Sequence, residues 1–124
     1  YWDDIDLSYR ARKSGYDILF ERDSIVRHEH ESGAIKKEYS ASSIKKIAYR
    51  NQIIFVWKNS DFNTLISHVF WLPYHLIKTV AGKDLAFLSG LINAIPLIPK
   101  IITSRNRARK LFNKSDSEVV RIFV

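Results

Sequence analysis

The sequence predicts a mostly α protein with a small β element, and three observations carry that prediction. From residue 41 onward, cap-forming residues recur ahead of apolar segments of helical length. Two of those segments, Phe62 to Ile77 and Leu85 to Pro99, contain no Asp, Glu, Lys or Arg. Only the neighbourhoods of residues 17–20 and 24–28 read as short strands. With 124 residues, 46% of them hydrophobic, the chain can bury one modest core and leaves little for a second domain.

The first helix is expected at about residues 4–14. Asp3, Asp4 and Asp6 crowd its first turn, Arg10, Arg12 and Lys13 fill its last turns, and Gly15 stands just past its end. Asp6 and Arg10 have the i,i+4 spacing of an intrahelical ion pair. The two strands follow, then a polar loop containing Lys36 and Lys37. Ser42 or Ser43 can cap a helix running to about Lys58, whose Ile44, Ile47, Ala48 and Phe55 cover more than one stripe. Asp61 or Asn63 can start the next, which reaches Ala81-Gly82 with a kink expected at Pro73. Lys83 or Asp84 opens another that is expected to fail near Pro96 and Pro99, and Leu97 to Phe112 can form one more. Ser115-x-x-Glu118 has the form of a capping box ahead of Val119 to Phe123.

Charge divides the chain at the same place. Lys and Arg number 20 against 13 acids, for a net charge of +7. Residues 1–40 hold nine acids and seven Lys or Arg, whereas residues 41–124 hold four acids and thirteen Lys or Arg, leaving +9 on the helical part. Such an excess favours an anionic partner, phospholipid or nucleic acid. No recognisable nucleic-acid motif accompanies the basic run, so membrane is the expected surface and no nucleic acid is expected. The two charge-free stretches are too short and too often interrupted to span a bilayer, which favours core or interfacial helices. Trp71, with Trp57 and Tyr74, suits the headgroup region, and Arg105, Arg107, Arg109 and Lys110 supply the expected anion contacts. The chain has no Cys, which excludes disulfides and thiolate metal sites.

Three carboxylates in one turn repel one another, an arrangement kept where a carboxylate takes a proton, holds a metal or faces a helix N-terminus. The helix-dipole explanation accounts for them without chemistry. The order of residues adds a further reading. Asp3-Asp4, one spacer, Asp6-Leu7, Arg10 and then Gly15-Tyr16 resemble the acidic motif of family 2 glycosyltransferases, which closes a catalytic GT-A domain. Ser24-Ile25-Val26-Arg27-His28-Glu29-His30-Glu31-Ser32-Gly33 is similar to the strand and following His of that family, and Tyr49-Arg50-Asn51-Gln52 to its Arg-Asn helix.

The resemblance implies the C-terminal portion of an α/β GT-A domain in residues 1–40, on the acceptor side, followed by a helical, basic, membrane-apposed tail in residues 41–124. It implies that Asp4 is the catalytic base and Asp3 its acidic partner, standing where the family often has Glu, while Asp6 and Arg10 give support. It implies that His28 or His30 reaches a divalent metal, Mn or Mg, on the nucleotide-sugar diphosphate. The family's nucleotide-binding half, with its Asp-x-Asp metal motif, precedes the acidic motif and has no counterpart in these residues. The expectation is therefore part of a longer bacterial enzyme or a truncated relative, inactive alone, cytoplasmic at the inner face of the cell membrane, with a polysaccharide or lipid-linked acceptor. Two other readings compete: a non-catalytic basic helical module binding membrane or nucleic acid, and a small metallohydrolase using Asp3, Asp4, His28 and His30.

Overall fold

The computed structural model describes residues 2–26 and 38–121, and these are mostly α. In chain order the helices are α1 (Asp3–Lys13), α2 (Ala41–Asn59), α3 (Phe62–Ala81), α4 (Ala86–Ala94), α5 (Ile98–Arg109) and α6 (Asp116–Val120), with a 3-10 turn over Ile95–Leu97.

Helix α1 ends as its sequence predicts. Gly15 adopts φ 89°, the Tyr16 N–H donates to the Ala11 carbonyl and the Gly15 N–H to that of Arg12, both at 3.0 Å. This is the left-handed termination that glycine permits at low cost. A Cβ there would also lie 2.9 Å from Asn113 Nδ2. The segment then approaches the C-terminal part of the chain, where the Asn113 and Lys114 N–H groups donate to the Lys13 carbonyl.

Helix α2 is the axis of the fold. Its cap is Ser40, whose hydroxyl accepts the Ser43 N–H at 3.2 Å, so the helix begins slightly earlier than its own serines suggest. Against it lie α4 and α5, with Ile53 from α2 and Ala86, Ala94 and Ile101 from the facing rod forming the buried core. Gly90 brings two backbones together, because a Cβ at that position would stand 2.8 Å from Tyr49 Cβ and 2.9 Å from the Arg50 nitrogen. Beside it Tyr49 and Phe87 meet edge to face, with ring centroids 5.4 Å apart.

The break expected at the prolines is present: α4 stops at Ala94, two residues before Pro96, and α5 starts at Ile98, next to Pro99. Pro96 and Pro99 occupy the opening positions of the 3-10 turn and of α5, where the fixed φ of proline is tolerated. Taken together, Ala86–Arg109 spans 24 residues and contains an 18-residue stretch of mean hydropathy 1.5, enough to cross a membrane by length and composition alone, although Ala86, Gly90, Ala94, Ile101 and Arg105 within it are buried in the molecule. Helix α3 contrasts with this packing: it carries Pro73 in its interior and contains no buried residue. Helix α6 begins with the expected capping box of Ser115 and Glu118.

The strands are the main departure. Residues 17–20 and 24–26 have no regular structure, and no strand occurs among the described residues. A strand exists only as a member of a hydrogen-bonded ladder, and no described segment lies alongside to complete one. Leu19, Phe20 and Ile25 accordingly stay exposed, at 86%, 92% and 91%. Residue 28, the expected end of the second strand, and the Lys36-Lys37 loop lie outside the described residues.

Candidate functional site

The acidic motif is split by the pitch of α1. Asp3 and Asp6, three residues apart, line one open cavity of about 220 Å³ together with Trp2, Asn51, Ile54, Phe55 and Lys58. Asp4 points elsewhere. It lines a second, mainly apolar cavity of about 250 Å³ with Ile5, Ser8, Tyr9, Arg12, Ile18 and Val119. The first cavity joins the acidic motif to the helix bearing Arg50 and Asn51, two segments that the sequence singled out separately.

Within it, Asp6 is the best-anchored acid. Arg10 Nε donates to Asp6 Oδ2 at 2.9 Å, as the i,i+4 spacing predicts, while Asn59 Nδ2 and Lys58 Nζ both approach Asp6 Oδ1 at 2.6 Å. Partial burial opposes the charged carboxylate, but the Lys58 and Asn59 contacts outweigh it and hold the pKa below the ordinary Asp value. Asp3 is also shifted down, chiefly by a hydrogen bond from its own backbone N–H. Trp2 enters α1 at φ 72°, a left-handed conformation costly for a residue with a Cβ. Its ring lies 5.5 Å from that of Phe55, and Tyr9 meets the same Phe55 edge on at 5.1 Å. The Arg50 guanidinium donates to Asn51 Oδ1 at 3.0 and 3.1 Å.

A second cluster, which the sequence did not reveal, holds this helix in place. Lys13 is only 1% exposed, and its ammonium lies 2.6 Å from Asp61 Oδ1, 2.6 Å from Asp116 Oδ1 and 3.2 Å from the Asn59 carbonyl. The two acids cap each other's segments: the Asp61 N–H donates to Asp116 Oδ2 at 2.8 Å, and the Asp116 N–H to Asp61 Oδ2 at 2.6 Å. Tyr9 adds its hydroxyl to Asp116 Oδ1. Burial and then the Asp116 contact push the Tyr9 pKa well above the normal range, so the hydroxyl stays a donor. Burial would raise the Asp116 pKa, yet donation from Lys13 and Tyr9 leaves it lowered.

Arg105 belongs to the same region and not to a lipid-facing cluster. Its guanidinium is buried and donates to the Trp57 carbonyl at 2.9 Å, so Arg105 and Lys13 together satisfy carbonyls in the last turn of α2. This corrects its assignment as an anion contact. Arg107, Arg109, Lys110 and Trp71 are exposed, as that role requires.

No family model matches the chain, and no curated protein or solved structure matches it either. Function therefore has to be read from the residues themselves. Among the described residues, no group of three or more Asp, Glu, His or Cys could hold a metal ion, and Asp6 is already engaged by Lys58 and Arg10. His28 and His30, the expected ligands, lie outside the described residues.

Proposed function

We propose that this chain is the acceptor-side part of an inverting family 2 glycosyltransferase of GT-A type. It would move a sugar from a nucleotide-sugar donor, held by a separate nucleotide-binding half, to a polysaccharide or lipid-linked acceptor. The observation that carries the reading is the meeting of the acidic helix and the Arg50-Asn51 helix around one cavity. Trp2 and Phe55 offer aromatic faces there, while Asp3, Asp6, Asn51 and Lys58 offer polar groups, the mixture that sugar rings and their hydroxyls require. The uncovered apolar segment from Ile18 to Val26 is further support, since strands of a sheet completed by another part of the enzyme would look this way.

In this reading the acceptor, held at the Trp2–Phe55 cavity, extends past the N-terminus of α1 so that its hydroxyl meets the exposed Asp4 outside that cavity. The hydroxyl oxygen attacks the anomeric carbon, its proton passes to the Asp4 carboxylate, and the nucleoside diphosphate departs with the bonding pair. Asp3 is the acidic neighbour of that base, and Asp6 and Arg10 fix the turn. A divalent metal, Mn or Mg, with His28 or His30 as this chain's ligand belongs to the same proposal. The described residues form no site for it, and no step here runs through it. The helical part is proposed to lie against the inner, cytoplasmic face of the cell membrane. A non-catalytic membrane-binding module is the second reading, favoured by the uncovered apolar side of α3.

The test is Asp4→Asn in the intact enzyme, which keeps the side-chain shape and removes the proton acceptor. Transfer is expected to fall by about 10² or more with donor binding retained. Transfer within about tenfold of the parent would remove Asp4 as the base.

A further inference from the structure

Helix α3 is built unlike the other helices. Phe62, Ile66, Val69, Phe70, Ile77 and Val80 fall on one side of the helix, and all are at least half exposed, Phe70 reaching 77% and Ile77 71%. The adjoining side, with Leu65, His68, Leu72 and Leu76, is the half-buried one. An apolar stripe along a 20-residue helix, left open by the fold, needs something to cover it.

Charge decides what covers it. All four acids of the helical part are engaged within the molecule: Asp61 and Asp116 on Lys13, Asp84 on Lys45, and Glu118 in its capping box. Lys78, Lys83, Lys100, Arg107, Arg109 and Lys110 remain at the surface. Two copies meeting through α3 would bring together two parts of net charge +9, whereas anionic headgroups would neutralise them.

We propose that the open face of α3 lies in the headgroup region of an anionic bilayer, with its apolar stripe turned toward the acyl chains and the helix parallel to the membrane plane. This inference rests on the membrane contact in the functional reading and names the element that makes it. Tyr74, about half exposed, flanks the stripe next to Phe70, and Trp71 packs on it edge to face at 5.6 Å further round the helix, at the level where amphipathic rings meet headgroups. Pro73 sits within the helix, so the Val69 carbonyl lacks its helical donor, a deficit that water at an interface meets and hydrocarbon does not.

The experiment is flotation of the chain with phosphatidylcholine–phosphatidylglycerol vesicles and with phosphatidylcholine alone. Binding is expected only with the anionic lipid at low salt, and Phe70→Ser combined with Ile77→Ser is expected to weaken it at least tenfold. Leu111→Ser, a change at an exposed leucine outside α3, is expected to leave binding unchanged. A tryptophan placed at the centre of the stripe by Ile66→Trp is expected to be quenched by brominated lipid more strongly than the parent's own tryptophans, a readout independent of the Ser variants, and equal quenching would place another face against the lipid. If the parent floats and the double variant floats equally well, the membrane contact stands but α3 is not its element. Failure of the parent to float at all overturns both. A parent that remains unbound but dimerises, and becomes monomeric on Phe70→Ser, would make this face a contact between copies instead.

Discussion

Lys13 illustrates how much of this fold hangs on single residues. Its ammonium is almost wholly removed from water, which is costly unless the charge is paired and hydrogen-bonded, and here two carboxylates and a helix-terminal carbonyl surround it. Removing it would leave Asp61 and Asp116 facing each other without a cation. Lys13→Met is therefore expected to destabilise the protein by about 3 kcal/mol, at the lower end of the range for broken buried pairs because Asp61 is 41% exposed. Urea denaturation checks this, and an unchanged midpoint would contradict the role. His68 gives a second residue-scale prediction. Its Nε2 is buried without a hydrogen-bond partner, and burial, followed by the nearby His75, lowers its pKa below the usual 6.5. The unfolded chain binds the proton more readily, so stability contributed by neutral His68 is present above about pH 6.5 and is lost as pH falls through the lower folded value. The melting temperature is expected to be lower at pH 5.5 than at pH 7.5, and His68→Leu to shrink that difference. An equal drop in the variant would assign it to other groups.

At the scale of elements, the contact of α2 with α4 depends on Gly90. Alanine is favoured over glycine in a helix by up to about 1 kcal/mol, so propensity alone would make Gly90→Ala stabilising. A methyl group there, however, must displace Tyr49 Cβ and the Arg50 backbone, neither of which is the loose end of a flexible chain. Overpacking of this kind costs about 1–3 kcal/mol, and a net loss of stability is the expected result, measured as a lowered melting temperature. A gain would show that the two helices can separate without penalty. Helix positions were readable from the sequence because caps, dipole charges and the stop at Gly15 act over a few residues. Gly15 and the box of Ser115 and Glu118 lie within three residues or so of the backbone groups they satisfy, whereas the cap of α2 was misplaced to Ser42 or Ser43 because neighbouring serines look alike to such a rule. Strands were not readable in this way, since Ile18 to Val26 has strand chemistry but no described ladder partner. Pro96 and Pro99 were readable, since the helix break they mark is local. The partners of Lys13 lie 48 and 103 residues away, and its place in the last turn of α1 reads as a dipole charge. The burial of Arg105 was equally hidden, because a surface run of alternating arginines and a buried arginine on a helix-terminal carbonyl look alike in sequence.

For the molecule as a whole, the clasp of Lys13, Asp61 and Asp116 ties the acidic helix to the basic helical part, so the two segments of different charge form one packed unit. The acidic motif meets the Arg50-Asn51 helix on one side of that unit, while Asp4 opens on another. We propose that this arrangement serves glycosyl transfer. It is tested most directly by measuring acceptor-dependent release of nucleoside diphosphate from a panel of nucleotide sugars, using the intact enzyme and its Asp4→Asn variant. Release is expected to need both a donor and a glycan or lipid-linked acceptor and to fall by about 10² or more in the variant. Undiminished release from Asp4→Asn, or no release from any donor by the intact parent protein, would contradict it.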